Sequence, residues 1–154
     1  MKKAAIIWIA IFCSVSFLFS TGTKAAKSVK KTAKTENKTK TESGQVIVYY
    51  FHTTFRCASC KKIEQYTKES VENYFKKELE SGKLLFKIIN IEEEGNGHFV
   101  DDYKLYTKSV VLSLWKNGKE VKSKNLERVW DFLRSKEKFY GYIKREVELF
   151  LKEG

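Results

Sequence analysis

The 154-residue sequence contains no proline. Cis peptide bonds in proteins occur almost entirely before proline, since the cis form at any other residue costs about 3 kcal/mol. We therefore expect trans bonds in any loop that shapes a functional site. The sequence also holds only three cysteines and two histidines, and the histidines follow no recognised metal-ligand spacing.

Signatures of nucleotide cofactors and of nucleic-acid binding are also missing. No G-x-G-x-x-G or other nucleotide-binding motif occurs, so we expect no flavin or nicotinamide cofactor. The net charge of +11 resides mostly in the first 44 residues, and residues 45–154 hold 21 Lys and Arg against 17 Asp and Glu. Nucleic-acid binding requires a clustered basic face. This mild surplus does not provide one, so no nucleic-acid partner is expected.

The N-terminus has the form of an export signal. Two lysines precede an uncharged apolar run of 17 residues at 4–20, which correspond to the n-region and h-region of a secretory signal. A run of this length is also at the short limit for a membrane span. Residues 1–22 are therefore predicted to be a signal peptide or an uncleaved anchor, with residues 4–20 as the membrane tether in the second case. Both predictions place the protein outside the cytoplasm, in the periplasm or cell envelope.

Residues 23–44 are predicted to be a disordered linker. This segment is rich in Lys and Thr, holds seven lysines and has almost no large apolar side chains. It cannot bury enough apolar surface to offset the entropy of ordering. The folded domain is therefore expected to occupy residues 45–154.

The domain is predicted to contain four strands. Their apolar, β-branched or alternating runs lie at 45–52, 83–92, 109–115 and 119–123. The run at 45–52 is apolar on both faces, which is typical of a central strand in a parallel or mixed sheet. Asn117-Gly118 separates the last two runs and is the strongest hairpin signal in the chain.

Three helical segments are predicted between and after these strands. The first begins at Cys57 and ends at Ser81-Gly82, and the second is a short helix over 99–106. Asn125 is predicted to cap a final helical segment, which continues as an amphipathic helix. Its apolar stripe comprises Leu126, Val129, Trp130, Leu133, Phe139, Ile143, Val147, Phe150 and Leu151.

The predicted order is strand, helix, strand, helix, strand, strand, helix. Strands that alternate with helices predict a parallel pair, and the hairpin adds an antiparallel edge. The predicted fold is thus α/β with βαβαββα order and a central mixed sheet flanked by helices. This order, in about 110 residues, is similar to that of thioredoxin-like domains.

The segment FHTTFRCASCKKIE, residues 51–64, carries the cysteine pair. A C-x-x-C at the end of a first strand, opening the following helix, resembles the thioredoxin superfamily. Residues 51–64 and 103–115 further resemble the nitrophenyl compound nitroreductase subunit ArsF family of exported thioredoxin-like proteins. The superfamily resemblance implies a thiol-disulfide oxidoreductase with Cys57 and Cys60 as a redox-active disulfide, and the predicted leader adds that the protein is exported.

The physical chemistry of the motif supports the same roles. Disulfide exchange requires a thiolate, and an ordinary cysteine with a pKa of about 8.5 supplies little at neutral pH. A cysteine at a helix start feels the positive end of the dipole and the unpaired N–H groups, and Arg56, Lys61 and Lys62 add positive charge. We expect Cys57 to be the exposed nucleophile and Cys60 the more buried resolving thiol.

Two other uses of the pair stay open at this point. The first is a structural staple, although a four-residue loop contributes only about 2 kcal/mol by the loop-entropy estimate. The second is a metal- or metalloid-binding module, in which zinc or copper(I) takes both thiolates with His52 and His98 as further ligands. A histidine that closes a strand is more often a hydrogen-bonded structural residue than a ligand or a base.

The sequence departs from the thioredoxin pattern around the motif. Phe51 occupies the position of the buried acid that assists the resolving thiol, and His52 or Glu64 is a candidate substitute. Arg56 replaces the tryptophan before the first cysteine, and Ala58-Ser59 replaces glycine-proline. The cis-proline that faces the cysteines is absent.

Alignment places Ser109 or Val110 at the position of the missing proline, depending on whether it is counted from Tyr103 or from the Asn-Gly hairpin. Phe55 and Trp115 are candidates to flank the thiol. The acidic run at 92–94 is interpreted as solvated.

The expected partners are a protein disulfide substrate and a redox partner, such as a membrane electron donor. The name of the second family implies nitroarene reduction, which needs a flavin or another hydride carrier. Since no such cofactor is expected here, this chain would pass electrons only as an accessory.

Overall fold

The computed structural model describes residues 44–154. The predicted leader at 1–22 and the linker up to residue 43 lie outside the described residues. The four strands are β1 (Gln45–His52), β2 (Leu84–Asn90), β3 (Ser109–Lys116) and β4 (Lys119–Asn125). The helices are α1 (Ala58–Tyr74), α2 (Lys76–Glu80), α3 (His98–Asp102) and α4 (Lys136–Glu153), and Glu127–Val129 forms a 3-10 turn before α4.

The strands form one mixed sheet in the order β2-β1-β3-β4. β1 pairs parallel with β2 and antiparallel with β3, and β3 pairs antiparallel with β4. The parallel pair and the antiparallel hairpin edge are therefore as predicted. With helices on the sheet, the domain has the α/β, thioredoxin-like fold.

β1 is an inner strand of the sheet, between β2 and β3, and its six inner residues are buried. Because successive side chains point to opposite faces of a sheet, Val46, Val48 and Tyr50 face the larger core, which contains residues of α1 and α4. Ile47, Tyr49 and Phe51 enter a smaller core on the other face, which includes residues of α3 and its flanking loops. Burial on both faces explains the apolar run at 45–52.

The Asn117-Gly118 turn is confirmed. Both residues have positive φ, 53° at Asn117 and 76° at Gly118, as the favoured two-residue hairpin turn requires. β4 continues two residues beyond the predicted end at residue 123.

The helix predicted to start at Asn125 is wrong. Asn125 is the last residue of β4 and pairs with Val111, and the N–H of Leu126 donates to the Val110 carbonyl at 2.8 Å. Because the backbone at Asn125 and Leu126 is paired with β3, no helix begins there. α4 begins only after Ser135, whose Oγ accepts from the N–H of Lys138 at 3.3 Å.

The first predicted helix is interrupted. Phe75 is buried and leaves helical geometry, with φ −128° and ψ 31°, so the segment forms α1 and the short α2. Among the described residues, every peptide bond is trans. No helix in this part of the chain combines the length and apolar character needed to cross a membrane.

Candidate active site

Three loops meet at one edge of the sheet. The parallel strands β1 and β2 both end there, and the antiparallel β3 begins there, since Phe51 pairs with Ile89 and with Ser109. The loop from Thr53 to Arg56 leads from this edge into α1. The sheet thus brings the cysteine motif next to the loops that follow β2 and precede β3.

Cys57 is the N-cap residue of α1. Its backbone is extended, with φ −74° and ψ 168°, and its sulfur accepts a hydrogen bond from the N–H of Cys60 at 3.2 Å. The Cys57 carbonyl accepts the first intrahelical bond from the N–H of Lys61 at 3.0 Å. The first turn contains no acidic residue. The sulfur therefore lies at the positive end of a 17-residue helix whose first turn carries no carboxylate.

Cys57 and Cys60 form a disulfide, with their Cα atoms 5.1 Å apart. Cys60 is 2% exposed, whereas Cys57 is half-buried. Cys57 is therefore the more accessible residue of the two. The structure therefore brings the predicted pair together, with Cys60 the more buried residue.

Arg56, the residue before Cys57, contacts a carboxylate and an aromatic ring. Its guanidinium forms an ion pair with the carboxylate of Glu64 and lies 6.0 Å from the centroid of the Tyr50 ring. The Tyr50 hydroxyl donates to the Cys60 carbonyl at 2.7 Å. Burial raises the pKa of Tyr50 to about 12, against the lowering effect of Arg56. Tyr50 is therefore a protonated donor at neutral pH.

Lys61 lies in the first turn of α1, and its side chain is exposed. Lys62 is also exposed, with its ammonium 5.6 Å from the centroid of the Tyr66 ring. These two cations add positive charge to the helix start from the solvent side, where screening weakens their effect.

The two histidines lie in different surroundings. His52 closes β1, its Nδ1 donates to the Thr53 carbonyl at 2.9 Å, and its ring lies 5.8 Å from that of Tyr50. His98 begins α3, and its Nδ1 donates to the Gly95 carbonyl at 2.8 Å. Within residues 44–154 no three His, Cys, Asp or Glu side chains are grouped as metal ligands. The structure therefore does not assemble the Cys2His2 set.

Both candidates for the missing proline position lie at the start of β3. Ser109 pairs with Phe51 and is 4% exposed, and Val110 pairs with Tyr50 and is fully buried. The Ser109 hydroxyl donates to the Thr107 carbonyl at 2.9 Å. This bond ties the start of β3 to the loop that precedes it.

The loop after β2 is hydrogen-bonded to the loop before Cys57, a contact that was not predicted from the sequence. The N–H of Thr54 donates to the Glu92 carboxylate at 2.9 Å, and the Asn90 side chain donates to the Thr54 hydroxyl at 3.3 Å. Hydrogen bonds from Thr54 hold the pKa of Glu92 below its ordinary value. Glu92 is exposed, as predicted for the acidic run, and its carboxylate in addition holds the loop that leads to Cys57. The only local signal is its position just after a strand parallel to β1.

Two aromatic side chains at this edge of the sheet are exposed to solvent. Phe55, in the loop before Cys57, is 77% exposed, and Tyr106, in the loop before β3, is 94% exposed. Trp115 pairs with Gln45 at the opposite end of the sheet, so the expectation that it flanks the thiol is wrong.

Comparison with family models found no match, and comparison with curated proteins found none either. Comparison with solved structures found several thioredoxins. Thioredoxin O2 from Arabidopsis thaliana, in the oxidized state, is 18% identical, with 62% of this chain and 76% of that chain covered and a TM-score of 0.38. Fasciola hepatica thioredoxin is also 18% identical, with 60% and 82% covered and a TM-score of 0.37.

A third similar structure is the complex of ferredoxin:thioredoxin reductase with thioredoxin f2. The identity is 19%, with 61% of this chain and 76% of that chain covered and a TM-score of 0.38. The thioredoxin-like description of the fold depends on the strand order, the strand directions and the position of Cys57 and Cys60 at the start of α1.

Proposed function

We propose that this protein is an exported thiol-disulfide oxidoreductase that works through Cys57 and Cys60. The observation that carries the proposal is the N-cap geometry, in which the Cys57 sulfur accepts from the N–H of Cys60 at 3.2 Å. A hydrogen bond to the charged form of a group favours that form. The same N–H that contacts the sulfur in the disulfide stabilises the Cys57 thiolate once the bond is reduced.

Oxidation of a partner dithiol proceeds in two displacements. A partner thiolate attacks the Cys57 sulfur, a mixed disulfide forms, the Cys57–Cys60 bond breaks, and its electron pair leaves on Cys60. The second partner thiolate then attacks the partner sulfur of the mixed disulfide, which closes the partner disulfide and releases Cys57 as a thiolate. Two electrons and two protons pass from the partner to the pair.

Reduction of a partner disulfide is the reverse sequence. The Cys57 thiolate attacks the partner disulfide, and the Cys60 thiolate then attacks Cys57 and expels the reduced partner. Burial of Cys60, at 2% exposed, restricts it to this internal step. The equilibrium direction depends on the reduction potential of the pair relative to that of its partner.

Insulin-disulfide reduction tests the proposal. Measurements use the full chain with Cys13→Ser, so that Cys57 and Cys60 are its only cysteines. Cys57→Ser is expected to abolish turnover, and Cys60→Ser is expected to accumulate a mixed disulfide, visible as a mass adduct at Cys57. Wild-type turnover in both variants would overturn the proposal.

A structural staple predicts a different result. In that case neither variant traps a partner, and the pair has a reduction potential below about −300 mV, the range of structural disulfides. The equilibrium of the pair against glutathione therefore separates a static bond from an exchanging one.

The export part of the proposal depends on residues 1–22, whose sequence has the form of a secretory signal or anchor. It implies a site outside the cytoplasm, where disulfides persist, and a membrane electron donor as the source of reducing equivalents. The proposal extends the resemblance to the ArsF family only to such electron transfer, without nitroarene reduction by this chain. Fractionation that finds the protein in the cytoplasm with residues 1–22 intact would overturn the export part.

A further inference from the structure

The Arg56–Glu64 ion pair spans the cysteine motif. Arg56 immediately precedes Cys57, and Glu64 lies one helical turn after Cys60 on the same face of α1. The side chains are 27% and 22% exposed, respectively. The Nε of Arg56 and the Oε2 of Glu64 are both shielded from solvent. The pair is therefore less screened than one on the open surface.

The buried ring of Tyr50 forms part of the floor under this pair. The Arg56 guanidinium lies 6.0 Å from the ring centroid, and the Tyr50 hydroxyl binds the Cys60 carbonyl at 2.7 Å. Arg56 is thus held between a carboxylate and an aromatic ring beside the disulfide. The residue before Cys57 thus carries a positive charge that is paired with the opposite charge of Glu64.

The sign of each contribution follows from Coulomb's law. A cation near a sulfur favours the thiolate, and an anion near it favours the thiol. Removal of the Glu64 charge leaves Arg56 uncompensated and enriches the thiolate. Removal of the Arg56 charge leaves a shielded carboxylate and depletes it.

We propose that Glu64 is a positioning residue of the redox site, which offsets the Arg56 cation and so limits how much Cys57 thiolate the reduced protein carries at neutral pH. The inference rests on the proposed function, because only an exchanging pair needs a tuned thiolate. Glu64 touches no reacting atom in this account and acts through Arg56.

Other charged groups surround the site and stay constant in the comparison. Lys61 is on α1 itself, His52 ends β1, Glu92 lies in the loop after β2, and Lys108 lies in the loop before β3. Their contributions are common to the wild type and to the variants below. At any one pH, a difference between a variant and the wild type therefore reports the altered charge at Arg56 or Glu64.

The test measures iodoacetamide alkylation of the reduced full chain, carrying Cys13→Ser, from pH 5 to 9. A change of about 0.5 in the pKa of Cys57 alters the thiolate fraction about threefold at a pH below that pKa. This is a modest change, as expected for a partly exposed ion pair. Glu64→Gln is expected to alkylate about threefold faster at pH 6, and Arg56→Gln about threefold slower. The double variant is expected to lie within about twofold of wild type.

Glu72→Gln is the matched control, since Glu72 is also on α1, is exposed, and lies 3.8 Å from Lys68 in a similar ion pair away from the motif. It is expected to leave the pH profile unchanged. Circular dichroism checks that each variant is folded. Glu64→Asp, which keeps the charge, provides a second readout if Glu64→Gln fails to fold, and is expected to stay near the wild-type profile.

Opposite shifts in the two single variants support the inference, because a merely structural role would disturb both in the same direction. An acidic Cys57 in the wild type with no shift in either variant would overturn this inference and leave the proposed function intact. A wild-type Cys57 that titrates at about 8.5 would instead contradict the proposed function itself.

Discussion

Replacement of Tyr50 by phenylalanine separates a structural role at the redox site from a chemical one. Tyr50 is fully buried, and its hydroxyl donates to the Cys60 carbonyl at 2.7 Å. Tyr50→Phe keeps the ring against Arg56 and removes only this hydrogen bond. A net buried hydrogen bond contributes about 1 kcal/mol, so the variant should lose about 1 kcal/mol of unfolding free energy. For a domain of about 110 residues this corresponds to about 4 °C in Tm.

The effect should depend on pH only in alkali. The pKa of Tyr50 is raised by burial from 10.0 to about 12, with Arg56 opposing the rise. A group whose pKa is higher in the folded state stabilises fully below its unfolded pKa and loses that contribution as the pH rises. The stability advantage of wild type over Tyr50→Phe should therefore be constant from pH 6 to about 9, fall above about pH 10 and reverse before about pH 12, because the rise in pKa outweighs a hydrogen bond of about 1 kcal/mol.

Urea unfolding of the oxidised protein measures the free energy, and equilibration with glutathione measures the redox effect. Because the hydroxyl binds a carbonyl rather than a sulfur, the glutathione equilibrium should change by less than about twofold. Tyr106→Phe is the control, since Tyr106 is 94% exposed and should change stability by less than about 0.5 kcal/mol. A large redox shift with unchanged stability would refute the reasoning.

Two further predictions concern ion pairs of α4. Lys136 and Tyr140 donate to Glu69 and hold its pKa at about 2, below the ordinary 4.5. The Tm difference between wild type and Glu69→Gln should therefore be full above about pH 4.5 and be lost as the pH falls to about 2. A Tm difference that is independent of pH would contradict the assignment. Lys124→Met removes an ammonium 2.6 Å from the buried Glu146. Because Lys124 is half-exposed and Arg145 still pairs with Glu146, the change should cost only about 1 kcal/mol in urea unfolding; an unchanged midpoint would show that the pair contributes nothing.

The order of strands and helices along the chain and the position of the cysteines could be predicted because their signals are local. The apolar run at 45–52 requires burial on both faces, and Asn117-Gly118 supplies the two positive φ values of the hairpin turn. The helix start at Cys57 could be predicted because the spacing of the apolar residues changes there from that of a strand to that of a helix. Each of these signals lies within a short stretch of neighbouring residues.

Asn125 shows where local signals fail. Its side chain suits a helix N-cap, but a strand register with Val111 holds its backbone in β4. The apolar stripe that begins at Leu126 fits a 3-10 turn as well as an α-helix over so short a length. Pairing with β3 decides between them, and this contact is not visible in the local pattern.

The polar contacts of the site depend on long-range geometry. Glu92 reaches Thr54 across 38 positions of sequence, which only the parallel pairing of β1 and β2 makes possible. Glu64 and Arg56 are close in sequence, but their pairing depends on how the 53–56 loop turns onto α1. Trp115 was placed near the thiol by its aromatic character alone, and strand direction carries it to the far end of the sheet.

The most direct test of this account is the titration of the Cys57 thiol in the reduced protein with Cys13→Ser, followed by thiolate absorbance and by alkylation rate. The N–H of Cys60 at 3.2 Å and the helix start without a carboxylate in its first turn predict a midpoint well below about 8.5, the value of an ordinary cysteine. A midpoint at or above that value, with slow alkylation at neutral pH, would contradict it.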